Sequence, residues 1–175
     1  MFLRNLAAAL AALPLLLFAA APAADAGGFP AAEAAFRQAL AGAGDADEAV
    51  RRFEPLAAAA GPQAPLHLAY LGAAQTLQGR DAWLPWTKVR ATERGLDNID
   101  KALRRLTPQH ETEGLRGFPV AAEVRLVAIS TFLAVPDTVF HRADRGRQML
   151  KEALARPDFG ELPADLRRRY ADLGS

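Results

Sequence analysis

The chain of 175 residues has no cysteine, which excludes a disulfide framework and all thiolate chemistry, whether metal ligation or nucleophilic attack. Serine is almost missing too. Its two copies are Ser130, inside an apolar stretch, and Ser175, the last residue, and neither sits where a strand–turn–helix elbow could present a nucleophile. The histidines are His67, His110 and His141; none has a partner four residues away, so His110-Glu111 lacks the second ligand of a zinc-protease helix. The glycines form no phosphate-cradling loop. Formal net charge is +1, with both signs interspersed, so no basic stripe marks a nucleic-acid surface. We read the chain as non-enzymatic, with no metal site and no cofactor.

What is present favours helix. Hydrophobic residues make up 51% of the chain; Ala and Leu dominate them and β-branched residues are scarce. The first 26 residues stand apart: Met1-Phe-Leu-Arg4 is a short basic start, Leu6 to Ala20 is apolar, and Ala21-Pro-Ala-Ala-Asp-Ala26 supplies small residues at cleavage spacing. This pattern is that of a secretory signal cut after Ala23 or Ala26. The rival reading is an uncleaved anchor, since Leu6 to Ala24 spans about 19 residues, near the length that crosses a bilayer. Pro14 and the weak apolarity of alanine favour cleavage. The expected product is one domain, residues 27–175, in the periplasm or secreted, without a lipid anchor because no cysteine can carry one.

The rest is organised around residues 65–108. Leu66 to Leu77 is apolar on every side, whereas Val89, Thr92, Leu96, Ile99, Leu103 and Leu106 share one face of a following helix and leave Arg90, Arg94, Asp97, Lys101 and Arg104 on the other. The pair reads as a helical hairpin turned at Gln78-Gly79-Arg80-Asp81. Before it, a helix over 31–41 stops at Gly42-Ala-Gly44, and Asp45 caps a second that runs to about Ala60 with Pro55 inside it. After it, residues 107–117 read as an exposed loop. Pro119 to Val135 is again apolar nearly all round. Pro136-Asp137 then caps an amphipathic helix through Phe140, Gly146, Leu150 and Ala153, and Pro163 opens a short last one.

A repeat emerges from these pairs. Gly95-x-x-x-Ile99-x-x-Ala102 recurs as Gly146-x-x-x-Leu150-x-x-Ala153, and Ala49-x-x-x-Phe53 with Ala57 is a looser copy, a small–large–small pattern that lets helices approach closely. With Gly44-Asp-Ala-Asp-Glu-Ala49-Val50, Leu71-Gly72, Lys101-Ala-Leu-Arg-Arg-Leu-Thr-Pro108 and Lys151-Glu-Ala-Leu-Ala-Arg-Pro157, the chain resembles tetratricopeptide-type helical repeats and, as a whole, small exported bacterial proteins of that type. The resemblance implies an all-α stack of antiparallel helical hairpins, about three pairs and a C-terminal capping helix, with a concave binding groove and no catalytic residues.

The segment Arg80-Asp81-Ala-Trp83-Leu-Pro-Trp86-Thr-Lys88 holds both tryptophans beside cations, the residue types that dominate binding hot spots. Tyr70, Arg80, Trp83, Trp86 and Lys88 are the candidate partner-binding residues. The alternative is that one or both rings plug the junction between helix pairs, Trp86 buried and Trp83 exposed. Glu93, Asp97 and Asp100 read as a charged outer face, and Arg142, Arg145 and Arg167 to Arg169 as a solvated run that could gather as an anion patch. The expected partner is a segment of another envelope protein. A second reading is a small-ligand accessory of an envelope transporter, with Tyr70, Trp83, Trp86 and Arg125 lining a cleft.

Overall fold

The computed structural model describes residues 28–174; the expected signal segment, residues 1–26, lies outside the described residues. Helix α1, Gly28–Leu40, stops at Gly42, whose φ of +72° is the left-handed conformation that ends helices. Helix α2, Ala46–Ala58, begins as its capping residue dictates, with Asp45 Oδ1 accepting from the Asp47 backbone N–H at 2.8 Å. Pro55 lies in its last turn, and the helix ends at Ala58 rather than Ala60.

Helix α3, Ala64–Asp81, continues through the four residues expected to turn. The turn is instead Ala82-Trp83-Leu84, followed by α4, Pro85–Arg104, with Pro85 in the first turn where the missing N–H is harmless. The reason is tertiary. Gly79 sits at a close approach of the two helices, where a Cβ would run into Thr92 and stand 2.8 Å from the Lys88 carbonyl, so it is a contact glycine and not a stop.

Residues 107–117 are also ordered differently from the loop expected there. Thr107 and His110 form a capping box, the Thr107 N–H donating to His110 Nδ1 at 2.9 Å, and this opens a 3-10 turn over Pro108–Glu111 with His110 buried. Then β1, Gly114–Leu115, pairs antiparallel with β2, Phe118–Pro119. Arg116 and Gly117 between them have φ of 59° and 80°, the positive values that a tight two-residue hairpin turn requires.

Helix α5 spans Val120–Ala134. The amphipathic helix expected next is split: α6 is a single turn, Asp137–Phe140, His141 turns left-handed at φ 50°, and α7 spans Ala143–Leu154. Asp137 still caps across the break, Oδ1 accepting from the Ala143 N–H at 2.8 Å. A 3-10 turn over Pro157–Glu161 leads to α8, Ala164–Asp172. The fold is all-α apart from the small hairpin.

Helices α3 and α5, without a polar face, are surrounded as their composition demands. Helix α3 touches α1, α2, α4 and α5; α5 touches α3, α4, α7 and α8. Leu68 and Val127, one from each, are buried. The small–large–small pattern marks these contacts. A Cβ on Gly72 would lie 2.5 Å from the Gly95 carbonyl and 2.8 Å from Ile99 Cγ1, so α3 and α4 cross almost backbone to backbone; Gly146 of α7 makes a looser contact, a Cβ there standing 3.1 Å from the Leu133 side chain and 3.2 Å from Phe132 Cβ of α5. Gly72→Ala should therefore lower the unfolding free energy by about 2–3 kcal/mol, because a carbonyl cannot rotate away, and Gly146→Ala by only about 1 kcal/mol, because the Leu133 side chain can yield. Urea titration measures both, and a wild-type midpoint for Gly72→Ala would refute the close crossing.

Candidate functional site

Tyr70, one of the five candidate partner-binding residues, is a core residue. Its ring stacks on Phe53 with centroids 5.3 Å apart and takes the edges of Phe29 and Phe36 at 5.5 and 5.4 Å. Its hydroxyl donates to Glu123 Oε1 at 3.0 Å. An aromatic cage of this kind is satisfied internally, so Tyr70 is not offered to a macromolecular partner. Burial raises the Tyr70 pKa, and the neighbouring Glu123 raises it further.

Around that hydroxyl lies a polar cluster that the sequence reading passed over. Glu123 of α5 is 0% exposed. Arg116, at the hairpin tip, donates from Nη2 to Glu123 Oε1 at 2.7 Å and pairs through Nη1 with Glu33 of α1. Its guanidinium also lies 4.9 Å from the Phe29 ring centre. One arginine thus ties α1 to α5. Glu123 Oε2 has no hydrogen-bond partner, and burial pushes the carboxyl pKa up against the pull of Arg116. Two signals pointed here: an acid in a helix whose one other charged residue is Arg125, and the Arg116-Gly117 dipeptide between Leu115 and Phe118, a short-hairpin pattern.

Arg80 and Lys88 are exposed, and each is also tied to backbone carbonyls of the fold. Arg80 Nη2 donates to the Ala39 carbonyl at 2.8 Å and Nη1 to that of Leu40 at 3.4 Å, at the end of α1, and the same guanidinium grips Asp81 at 2.6 and 2.9 Å. Asp81 is held below the usual carboxylate range by that contact. Lys88 Nζ donates to the Arg80 carbonyl at 2.8 Å, satisfying the end of α3 as cations at helix C-termini do.

The tryptophans face the other way. Trp83 is 92% exposed and Trp86 62%, with Leu84 and Val89 exposed beside them, the latter although its spacing places it on the inward face of α4, whose buried face begins only at Ala91. The burial expected for Trp86 does not occur: α4 buries Ala91, Thr92, Gly95 and Ile99 against α3, and Trp86 projects from the opposite side. Trp83 lines a cleft of about 630 Å³ with Asp45, Asp47, Asp81, Arg90 and Arg94. Arg90 and Arg94 make no ion pair among the described residues, which distinguishes them from most other arginines of the chain.

The remaining candidates resolve into structure. Arg125 grips Glu111 at 3.0 and 2.5 Å, and Arg156 joins the same carboxylate at 3.2 Å and Asp158 at 2.7 Å. Tyr70, the tryptophans and Arg125 therefore line three separate places, and the cleft expected to unite them does not form. Arg142 and Arg145 converge on Asp100 at 3.0 and 2.6 Å and lie over Phe132, so they do not join Arg167 to Arg169 in a patch. Ser130 Oγ donates to the Val127 carbonyl at 3.0 Å. Among the described residues there is no group of three His, Cys, Asp or Glu able to hold a metal ion, and no helix long and apolar enough to cross a membrane. Comparison with known protein families, with curated proteins and with solved structures finds no match.

The Arg116 clasp generates a signed expectation. Arg116→Met strands the buried Glu123 without its cation and should cost about 3 kcal/mol at neutral pH, the low end for breaking a buried pair because Arg116 is partly exposed. In that variant Glu123 is faced by Tyr70, with Glu33 and Arg169 the nearest charges acting on it. Its folded pKa lies above the unfolded value, so the folded form gains stability as pH falls through the raised pKa toward the ordinary carboxylate range. Denaturant melts at pH 7 and pH 5 should show the deficit shrinking at the lower pH; a constant deficit would show that the Glu123 charge is not what Arg116 neutralises.

Proposed function

We propose that the protein is an exported, non-catalytic scaffold of stacked helical hairpins that docks a segment of another envelope protein at the Trp83–Trp86 corner. The reading of the fold as a tetratricopeptide-like stack is supported by the order of contacts. Each of α1 to α5 touches its chain neighbour, α7 packs on α5, and the first helices of the hairpins, α1, α3 and α5, also touch in series. In that scheme α2, α4 and α7 are the second helices and α8 covers the end.

The observation that carries the docking reading is the exposure of both tryptophans beside two arginines without ion pairs. A folded chain has every hydrophobic reason to cover two indoles, and the neighbouring Leu84 and Val89 extend them into one apolar surface. Trp and Arg are the side chains that most often supply binding energy. The acids that share the cleft are already engaged, Asp81 by Arg80, Asp45 by Arg51 and Asp47 by Gln78. The two arginines therefore set the partner's chemistry: an aromatic or aliphatic side chain to cover the indoles, flanked by carboxylates for Arg90 and Arg94.

Acrylamide should quench both tryptophans in the isolated protein, and Trp83→Ala with Trp86→Ala should leave stability within about 0.5 kcal/mol of wild type. Crosslinking in envelope extracts should yield a partner with wild type that the double variant loses. Recovery of the same partner by the double variant, or of none by wild type, would defeat the docking surface.

A further inference from the structure

A second concavity lies away from the tryptophans. A cavity of about 220 Å³ opens between α1, α3, α5 and α8. Phe36, Leu77, Leu126 and Leu173 give it apolar walls, and Tyr70 contributes to its lining. Three hydroxyls also line it, but each has its proton committed: Thr76 to the Ala73 carbonyl at 2.7 Å, Ser130 and Thr131 to the Val127 carbonyl at 3.0 and 2.8 Å. Those groups have no proton left to stabilise a negative charge. Arg169, exposed on α8, is the only charged residue among those lining the cavity, and its positive charge acts on the Tyr70 hydroxyl.

We propose that this cavity binds a small monocarboxylate with an apolar tail. The carboxylate lies on Arg169, because nothing deeper can donate to it, and the tail lies among α1, α3 and α5, where it displaces water from apolar walls. Size bounds the tail: a cavity of roughly 150 Å³ admits benzene, so this one takes about seven to ten carbons. A cation gains nothing from Arg169, the one charged residue in the lining, and a guest needing acceptance of several hydrogen bonds finds no donors inside. The site shares no residue with the tryptophan corner, so the two readings stand or fall separately.

Calorimetric titration of the folded protein with octanoate, octanol and octylammonium tests it. Octanoate should bind once per chain and raise the melting temperature by mass action, octanol should bind at least tenfold more weakly, and octylammonium should give no heat. Arg169→Gln should weaken octanoate at least tenfold and leave octanol unchanged; Ser130→Phe, which fills the cavity from α5, should abolish both. The Trp83→Ala, Trp86→Ala variant should bind octanoate like wild type. Absence of octanoate binding to wild type, equal binding by Arg169→Gln, or a preference for octylammonium would overturn the assignment. If Ser130→Phe does not melt cooperatively, the Arg169→Gln comparison decides alone, since that side chain is on the surface.

Discussion

A helix with no polar side cannot border water, and this constraint on α3 propagates through the fold. From Leu66 to Leu77 every residue is buried, so neighbours are needed around the whole circumference, and α1, α2, α4 and α5 supply them. Crowding one helix with four others leaves little room at any single contact. Gly72, Gly79 and Gly95 are the response: at each, the missing side chain is what allows α3 and α4 to approach until backbone meets backbone. Helix α5 packs on α7 less closely: it has no glycine of its own, and Gly146 makes room for the Leu133 and Phe132 side chains rather than for backbone.

Because the core is built from Ala and Leu on helices, few polar groups remain to join distant elements, and arginine carries that task. Arg80 holds the end of α1, Arg116 bridges α1 and α5, Arg125 and Arg156 gather the 3-10 turns onto α5, and Arg142 with Arg145 reach Asp100 on α4. The planar guanidinium suits this, since it satisfies two acceptors at once and can lie flat on an aromatic ring. Six of the arginines that look in sequence like part of a solvated surface therefore tie separate elements together, while Arg51, Arg52, Arg147 and Arg168 do form exposed pairs within their own helices. Against that background Arg90 and Arg94 stand out by place: they are paired with no acid among the described residues and line one cleft with Trp83, and the docking reading rests on that conjunction.

Helix boundaries were legible where a local chemical rule governs them. Asp45 and Pro85 start helices, Gly42 ends one and Asp137 caps one, as their side chains require. Gly79 misled because a glycine that stops a helix and a glycine that admits a neighbour are the same residue; only the position of Thr92 and Lys88 separates them. Residues 107–117 were unreadable by periodicity, since a capping box and a two-residue hairpin are too short to have a period. Of the candidate site, both tryptophans are at the surface, whereas Tyr70, Arg80 and Lys88 are committed to internal contacts that depend on partners 8 to 53 residues away.

The residues alone determined that the protein is helical, which segments must be enclosed and which face of each amphipathic helix turns inward, because apolar periodicity is a local property of the chain and burial follows from it. They also determined that cysteine chemistry is absent. Only the tertiary structure decided which cations are spent inside, that Glu123 is sealed beneath Arg116, that both indoles are left bare, and that Arg169 stands over an apolar cavity. Each of these depends on where a side chain from another helix comes to lie, and no spacing along the sequence encodes that distance.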